Sequence, residues 1–496
     1  MNPPRLLIAN RGEIAVRIIR ACRDLGISPV AVYSEADRGS LHVRLADHAV
    51  PIGPPPARES YLVPEKLLAA ARKTGASLVH PGFGFLSENA AFAQAVIDAG
   101  LTWVGPRPFS IGAMGSKTES RQRMLAAGVP VVPGMTTPAA SAAEVAAFGR
   151  ENGFPLLLKA AAGGGGKGMR VVRSESEVAE AFARTQSEAK SYFADDRVYA
   201  ELFVEHPRHI EVQVLGDATG KVLAIGEREC SLQRRHQKVL EECPSAAVSP
   251  ELRAKMENVA VAAARAVEYV SAGTVEFLLA RDGRFFFLEM NTRIQVEHPV
   301  TECVYGVDLV AEMIRIALGK PMSLAEKPAA RGHAIECRVY AEDPGRAFAP
   351  SPGRITAVRW PGGPGIRVDA GLTAGDVVPL DYDPMVAKIT AWGTSRDEAR
   401  RRMLRALAET RVQGIQTSVP FFVSLLNDPR VVSNDVSTQF LDTYKFVPPA
   451  PEEGQMDLAL AAAVLESLEQ TKSVRPQTKG APPAAWRIAR PTHGAR

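Results

Sequence analysis

The chain is 496 residues long, with 46% hydrophobic and 23% charged residues, which predicts a globular protein of two to four domains. Its net charge of +4 is small for this length and part of the excess lies in the last stretch, which argues against a nucleic-acid partner. The five cysteines lack metal-ligand spacing and predict a cytoplasmic protein with reduced thiols. No apolar run reaches the ~20 residues of a membrane span, and the N-terminus lacks the apolar core of a signal peptide.

Residues 1–115 alternate short apolar runs with amphipathic helical patterns. The predicted elements are strands at 5–9, 29–33 and 77–80 and a helix over 13–25. This βαβ pattern is typical of a Rossmann-like parallel sheet. The loop at 10–13 has only one glycine, so the pyrophosphate-binding fingerprint is missing, although Asp37 stands where a ribose-binding acid would. We therefore expect a scaffold domain rather than a nucleotide site.

The next segment contains a glycine run, Gly163–Gly168, between predicted strands at 154–160 and 170–172. Backbone N–H groups of such a run can close over phosphates, and Lys159 and Lys167 favour that role. The run is not a Walker A loop, because a glycine rather than Ser or Thr follows its lysine. A flexible turn without a ligand is the alternative interpretation.

Residues 201–330 are richer in strand patterns and contain a dense cationic run at 233–238. A solvated charged face is the usual explanation of such a run. Against it, the alternating segment 209–214 places Glu211 among other polar groups on one strand face. The segment Glu201–Val204 is a candidate strand end that presents backbone groups to an adenine ring.

Two apolar runs flank Asp282-Gly283, which is a strong hairpin signal. If this dipeptide forms a two-residue turn, Glu276 lies directly opposite Glu289, and Asn291 points to the same face as Glu289. Like charges facing each other destabilise a strand pair, so the pair needs a cation. Two carboxylates and an amide oxygen suit Mg²⁺ or Mn²⁺. An edge hairpin with solvated acids is the alternative.

Residues 331–446 have the pattern of a further β-rich unit with a closing helix over about 396–409. A proline-rich break at 447–451 precedes a short helix, about 456–468, and the rest is expected to be disordered. No Met-Lys-Met triplet of a biotin carrier domain occurs in the sequence.

The chain resembles biotin carboxylase, the ATP-grasp subunit or domain of biotin-dependent carboxylases, over residues 1 to about 446. The motifs that carry the resemblance are NRGEIAVRIIRA, HPGFGFLSEN, KAAAGGGGKGM, EHPRHIEVQV, CSLQRRHQKVLEE, EMNTRIQVEHPVTE and ECRVYAEDP. The resemblance implies an α/β and α+β multidomain fold. Its parts are an N-terminal Rossmann-like domain at 1–115, an ATP-grasp domain at 116–330 with a glycine-rich lid over about 130–203, a β-rich biotin carboxylase C-terminal domain at 331–446, and a partly disordered tail at 447–496.

The resemblance also implies ATP-dependent carboxylation of biotin by bicarbonate through carboxyphosphate. The metal ligands are expected to be Glu276, Glu289 and Asn291, in agreement with the hairpin argument, and to hold two Mg²⁺ or Mn²⁺ ions. The other expected ATP-binding residues are Lys117, Lys159, Gly164, Gly165, Gly166, Glu201, Leu202, Phe203, Val204, His209, Gln233 and His236.

The expected bicarbonate site consists of Lys238, Arg293, Gln295 and Val296. Glu297 is expected to be the general base, because a carboxylate held beside a guanidinium can take the bicarbonate proton. Arg338 is expected to stabilise the biotin enolate. Without the resemblance, we would interpret Arg338 as a surface ion pair with Glu336 or Glu342.

The implied partners are a separate biotin carboxyl carrier protein, carboxyltransferase subunits and a second copy of the chain. The tail from about Met456 weakly resembles the connecting region of acyl-CoA carboxylase alpha subunits, with a plain linear extension as the alternative. The acyl acceptor stays open between acetyl-CoA, propionyl-CoA, another acyl-CoA and pyruvate. The alternative functions are another ATP-grasp ligase, such as a carboxylate–amine ligase or a carbamoyl-phosphate-type synthetase, and a regulatory subunit that binds nucleotide without turnover.

Overall fold

The computed structural model describes residues 3–160, 168–193, 195–448 and 455–472. These belong to two compact units, Met1–Pro448 and Pro449–Arg496. The predicted glycine run, Gly163–Gly168, lies outside the described residues except for Gly168. Among the described helices, none has the length and apolar character that a bilayer crossing requires.

The N-terminal part of the first unit is built on a parallel sheet. Its elements are β1 (Arg5–Ile8), α1 (Gly12–Asp24), β2 (Ser28–Ser34), α2 (Leu41–Leu45), β3 (His48–Gly53), α3 (Pro64–Thr74), β4 (Leu78–His80), α4 (Ala90–Asp98), β5 (Thr102–Trp103) and α5 (Pro108–Gly115). The strand order is β3-β2-β1-β4-β5, and every pair is parallel. The predicted Rossmann-like sheet is therefore confirmed.

A small antiparallel sheet follows. Its segment contains α6 (Lys117–Ala126), α7 (Ala142–Asn152), β6 (Leu156–Ala160), β7 (Met169–Val172), α8 (Val178–Phe193) and β8 (Val198–Leu202). The strand order is β7-β6-β8, so the two strands that flank the glycine run are direct neighbours. Leu156, Leu158 and Val172 are buried with α8 residues in a core of their own.

One eight-stranded antiparallel sheet then runs through both the predicted central and C-terminal segments. Its first part comprises β9 (Arg208–Gly216), β10 (Val222–Arg234), β11 (Gln237–Cys243), α9 (Pro250–Arg265), β12 (Ser271–Leu279), β13 (Phe285–Asn291), α10 (His298–Tyr305), α11 (Leu309–Ala317) and β14 (His333–Tyr340). The strand order is β13-β12-β9-β10-β11-β14-β21-β19, where the last three strands, β14, β21 (Met385–Gly393) and β19 (Ile366–Ala370), come from the C-terminal segment. The pairing of β11 with β14 joins the two segments.

The C-terminal segment continues with short strands and a helical end. Its elements are β15 (Glu342–Asp343), β16 (Ala349–Pro350), β17 (Gly353–Arg354), β18 (Ala357–Arg359), β19 (Ile366–Ala370), β20 (Val377–Val378), β21 (Met385–Gly393), α12 (Arg396–Glu409), β22 (Arg411–Gln413), α13 (Val419–Asn427), α14 (Pro429–Val432) and α15 (Phe440–Thr443). The predicted helix at 396–409 is confirmed, but it does not close the segment, because three further helices follow it. In the second unit, the predicted helix is present as α16 (Gln455–Lys472).

The hairpin of β12 and β13 has the predicted pair but not the predicted turn. The Ala280 N–H donates to the Arg284 carbonyl at 2.8 Å, so the loop has three residues, and Gly283 has φ +84°. That loop alone would shift the register by one residue. A bulge between Phe287 and Glu289 shifts it back, and Glu276 faces Glu289. The two-residue turn was therefore wrong, and the predicted pair holds because two irregularities compensate.

Candidate active site

Three buried carboxylates surround one ammonium group beneath helix α10. Lys238 of β11 donates from Nζ to Glu211 of β9, to Glu276 of β12 at 2.8 Å and to Glu297, the residue before α10, at 2.7 Å. Burial would lower the pKa of Lys238, but the three carboxylates raise it well above its ordinary value. Lys238 in turn lowers the pKa of Glu297 against the effect of burial. All four groups are therefore charged.

Arg228 of β10 holds the same cluster together from the other side. Its side chain is 0% exposed and donates to the carboxylate of Glu211. It also donates to Gln213 and Gln295 at 2.7 and 2.6 Å and to the hydroxyls of Thr301 and Thr274 at 2.9 and 3.1 Å. We call Arg228, Lys238, Glu211, Glu276 and Glu297 the charged cluster.

The predicted metal ligands lie at one edge of this cluster. The Asn291 amide donates from Nδ2 to Glu276 at 2.8 Å, and Glu289 faces Glu276 from the edge strand with a side chain that solvent reaches. Desolvation by the surrounding protein and repulsion by Glu276 raise the pKa of Glu289 above its ordinary value. The charged form of Glu289 is thus disfavoured despite the nearby Lys238 and His209, and a divalent cation with oxygen ligands fits beside it.

His209 lies on the inner side of Glu276. Its Nε2 is 3.0 Å from a Glu276 oxygen and 3.6 Å from Glu211. Burial would lower the pKa of His209, but these carboxylates raise it to about 9, so it adds a positive charge to the cluster at neutral pH.

The predicted bicarbonate residues form the wall between the metal ligands and Glu297. The Arg293 guanidinium donates to Glu88 at 2.9 Å and to the Asn291 side-chain oxygen at 2.7 Å. The Gln295 amide donates to Glu276 at 2.6 Å. The carbonyl of Val296 accepts from Lys388 at 2.6 Å, so this backbone is held in place from the sheet below.

Arg338 of β14 completes the wall on the side of the C-terminal segment. It is 9% exposed and donates to Glu241 at 2.6 Å and to Glu297 at 2.9 Å. The alternative interpretation as a surface ion pair is wrong, because Glu342 pairs instead with Arg234. Glu297 thus accepts from Lys238 with one oxygen and from Arg338 with the other.

The predicted nucleotide residues lie on several elements around this wall. Lys159 of β6 and Glu201 of β8 form a nearly buried ion pair, and the N–H groups of Leu202 and Phe203 donate to carbonyls of Pro133 and Pro155. Val204 follows as a half-buried residue. Together with Pro133 and Pro155, Leu202 to Val204 line a cavity of 300 Å³.

The remaining predicted nucleotide residues differ in their burial. Gln233 is buried and donates to the Cys230 carbonyl at 3.0 Å, whereas His236 is exposed at the turn from β10 to β11. That turn supports the solvated-face interpretation for Arg235 and His236, which are both exposed, whereas Lys238 points inward. Helix α6 begins at Lys117. The Lys117 side chain and Gly164, Gly165 and Gly166 lie outside the described residues.

Sequence reasoning missed Arg228, Glu241, Lys388 and Glu88. Arg228 faces Glu211 directly across the pair of β9 and β10. A lone arginine within a long strand pattern was the available signal, but the register that supplies its partners is not visible in the sequence.

The chain matches three family models in succession. "Biotin carboxylase, N-terminal domain" matches residues 2–111, "Carbamoyl-phosphate synthase L chain, ATP binding domain" matches 116–325, and "Biotin carboxylase C-terminal domain" matches 336–443. Together these models cover most of the chain.

Individual relatives agree. The biotin carboxylase of Nostoc sp. is 49% identical over 442 residues, which are 89% of this chain and 99% of that protein. The propionyl-CoA carboxylase alpha chain of Ruegeria pomeroyi is 45% identical and covers 95% of this chain and 72% of its own. The biotin carboxylase domain dimer of the Hydrogenobacter thermophilus 2-oxoglutarate carboxylase, in complex with MgADP, ADP and bicarbonate, has a TM-score of 0.83 at 42% identity and covers 89% of this chain and 98% of its own. The chain belongs to the biotin carboxylase family of ATP-grasp ligases.

Proposed function

We propose that the chain uses ATP and bicarbonate to carboxylate biotin on a carrier protein and releases ADP and phosphate. The observation that carries this proposal is the position of Glu297. Its oxygens accept from Lys238 at 2.7 Å and from Arg338 at 2.9 Å, so an ionised carboxylate lies between two cations. A small anion held by such cations lies within reach of that base.

ATP binds, in this proposal, across the metal ligands and the small antiparallel sheet. Glu276, Glu289 and Asn291 hold two Mg²⁺ or Mn²⁺ ions, which neutralise phosphate charge when bound. Lys117, Lys159 and the glycine lid hold the phosphates and exclude water from a labile intermediate. The residues that line the nucleotide are Glu201, Leu202, Phe203, Val204, His209, Gln233 and His236. The MgADP complex of a relative 42% identical supports this assignment.

Bicarbonate binds against Lys238, Arg293, Gln295 and the backbone of Val296. As its oxygen attacks the γ-phosphorus of ATP, the bond from that phosphorus to the ADP oxygen breaks and the bicarbonate proton moves to Glu297. The products are ADP and carboxyphosphate. Positioning and charge neutralisation supply most of the catalysis, because phosphoryl transfer needs little covalent help.

Biotin then reacts beside Arg338. Carboxyphosphate breaks its C–O bond to phosphate oxygen and gives CO₂ and phosphate, and the phosphate takes the N1 proton of biotin. The N1 atom attacks CO₂ while the Arg338 guanidinium stabilises the negative charge on the ureido oxygen. The buried position of Arg338 beside Glu297 supports one shared pocket for both half-steps.

The finer organisation is also part of the proposal. The domains are taken to be 1–115, 116–330 with a lid over about 130–203, 331–446 and a tail, because the three family models break near the same positions. A cytoplasmic location is supported by five free cysteines.

The proposed partners are a separate biotin carboxyl carrier protein, carboxyltransferase subunits and a second copy of the chain. Relatives that this chain covers almost completely, such as the Nostoc protein, carry the name biotin carboxylase alone, which supports a separate carrier. The dimeric relative supports a homodimer. An acyl-CoA acceptor, in fatty acid biosynthesis or acyl-CoA metabolism, is supported by the alpha chain whose match reaches 95% of this chain.

An ADP-release assay with free biotin and bicarbonate, each omitted in turn, tests the proposal. We expect release to require bicarbonate and to be accelerated by biotin. Release that proceeds with an amine and is indifferent to biotin would favour a different ATP-grasp ligase.

A further inference from the structure

Two glutamates face each other directly behind Arg338. Glu241 of β11 and Glu336 of β14 are paired across the strands, and both are 0% exposed. Residues opposite each other in an antiparallel pair have Cβ atoms about 5 Å apart, so the two side chains are direct neighbours on one face of the sheet. One oxygen of each, Glu241 Oε2 and Glu336 Oε1, has no hydrogen-bond partner among the described residues.

The second side-chain oxygen of each glutamate accepts a hydrogen bond. Glu241 accepts from Arg338 Nε at 2.6 Å, and Glu336 accepts from the Thr390 hydroxyl at 2.7 Å. Nearby Lys388, also 0% exposed, donates to the Val296 carbonyl and forms an ion pair with Glu13 at 3.3 Å. The pair thus has a guanidinium bound to one member, a hydroxyl bound to the other and one buried oxygen without a partner on each.

Two ionised carboxylates in this position would repel each other without a donor between them. A single proton supplies the missing donor and removes one charge. Burial raises the pKa of Glu241 to about 7, an effect that Arg338 partly offsets, and raises the pKa of Glu336 to about 8, an effect that Lys388 partly offsets. This direction agrees with the geometry.

We propose that Glu241 is a positioning residue for Arg338 and that Glu241 and Glu336 share one proton, so that the pair presents one negative charge to the guanidinium beside that of Glu297. The inference rests on the proposed role of Arg338 at the biotin site. With one proton present, Arg338 is oriented by Glu241 and Glu297 and keeps enough positive field for the developing enolate. When the proton leaves, the pair presents a further negative charge to Arg338 and weakens that field.

Other charged groups surround the pair. On the pair's own strands these are Lys238 and Arg338. From the packed elements they are Cys230 of β10, Glu13 of α1, Glu297 before α10, His298, Glu302 and Cys303 of α10, Arg367 and Asp369 of β19, and Lys388 of β21. Burial and nearby cations lower the pKa of His298 well below its usual range, so it stays neutral. A limb of a pH profile near 8 that responds to Glu336 is therefore attributable to the pair.

The test measures biotin carboxylation against biotin concentration and pH, with bicarbonate-dependent ADP release in the absence of biotin as the second readout. In Glu241→Gln we expect kcat/KM for biotin to fall about tenfold or more, because a charge-assisted hydrogen bond is lost, while biotin-free ADP release stays within about twofold. In Glu336→Gln, which imitates the protonated acid, we expect near-normal turnover at neutral pH and loss of the alkaline limb near pH 8.

Glu242→Gln is the matched control, because Glu242 follows Glu241 on the same strand and binds Arg396 and His333 instead. It should keep the biotin dependence and the alkaline limb. Infrared difference spectra give a readout that needs no turnover: the protonated carboxyl band that the unmodified protein loses as pH rises through about 8 should be missing in Glu336→Gln.

Each result decides something. Normal kcat/KM for biotin in Glu241→Gln overturns the positioning role, and an unchanged alkaline limb or infrared band in Glu336→Gln overturns the shared proton. If the unmodified protein itself forms no carboxybiotin, the proposed function fails, and the infrared result still decides whether the proton is shared.

Discussion

Replacing Arg228 by Met tests whether the charged cluster depends on this one buried guanidinium. Arg228 is among the largest fully buried side chains of the described residues, and methionine keeps much of its volume while removing all of its donors. The change leaves Glu211 with Lys238 as its main cation and leaves the side-chain oxygen of Gln295 without its donor. We therefore expect a loss of both stability and turnover.

The expected loss of stability follows from the burial of the ion pair between Arg228 and Glu211. Removing one partner of a buried ion pair costs about 3–5 kcal/mol, because the other charge stays desolvated. At about 2.1 cal/mol/K of unfolding entropy per residue, the unit Met1–Pro448 changes its Tm by about 1 °C per kcal/mol, so Tm should fall by about 3–5 °C. Arg401→Met is the control: Arg401 pairs with Asp397 on the surface of α12, with side chains 65% and 55% exposed. Such a pair contributes about 0–1 kcal/mol.

Differential scanning calorimetry of the two variants and the unmodified chain measures the difference. We expect Arg401→Met to keep its Tm within about 1 °C and Arg228→Met to lose several times more. Equal Tm values for the two variants would refute the view that Arg228 compensates the buried carboxylates. A fall in turnover without any fall in Tm would limit Arg228 to orienting Gln295.

Three further predictions concern the general base, the biotin site and the stability of the fold at acid pH. Glu297→Gln should lower bicarbonate-dependent ADP release about 100-fold or more, since general-base catalysis contributes that much, while nucleotide affinity measured by calorimetry stays unchanged; equal loss of both would contradict a role as base. Arg338→Ser should abolish carboxybiotin formation but retain biotin-free ADP release, and parallel loss of the two activities would argue against a role confined to biotin. Hydrogen bonds from His333 and Arg396 outweigh burial and lower the pKa of Glu242 to about 2. Because this pKa is depressed, about 3 kcal/mol of stability is present above pH ~4.5 and lost as pH falls towards 2, and Glu242→Gln should flatten the acid limb of Tm against pH.

Local sequence patterns were sufficient to predict part of the fold. The alternation of strands and helices in residues 1–115 predicts the parallel sheet, because βαβ units have few other arrangements. The charge spacing in the hairpin predicts Glu276 opposite Glu289, yet the observed register depends on a three-residue loop and a compensating bulge. Such irregularities are set by packing around the hairpin rather than by its own sequence.

The rest of the site depends on distant pairings. Arg228 meets Gln295, and Arg338 meets Glu241, across separations of 67 and 97 residues. No spacing rule covers such pairs, because strand order in an eight-stranded sheet is decided by the whole chain. The bicarbonate and biotin residues were assigned by resemblance for this reason. The structure adds Glu241 and Lys388, which support them from the sheet.

Isotope transfer from bicarbonate tests the central claim most directly. In the proposed reaction a bicarbonate oxygen attacks the γ-phosphorus, and its bond to carbon later breaks. Bicarbonate labelled with ¹³C and ¹⁸O should therefore leave one ¹⁸O in each released phosphate and its ¹³C on biotin. Formation of labelled carboxybiotin with unlabelled phosphate would contradict the carboxyphosphate route and the role assigned to Glu297.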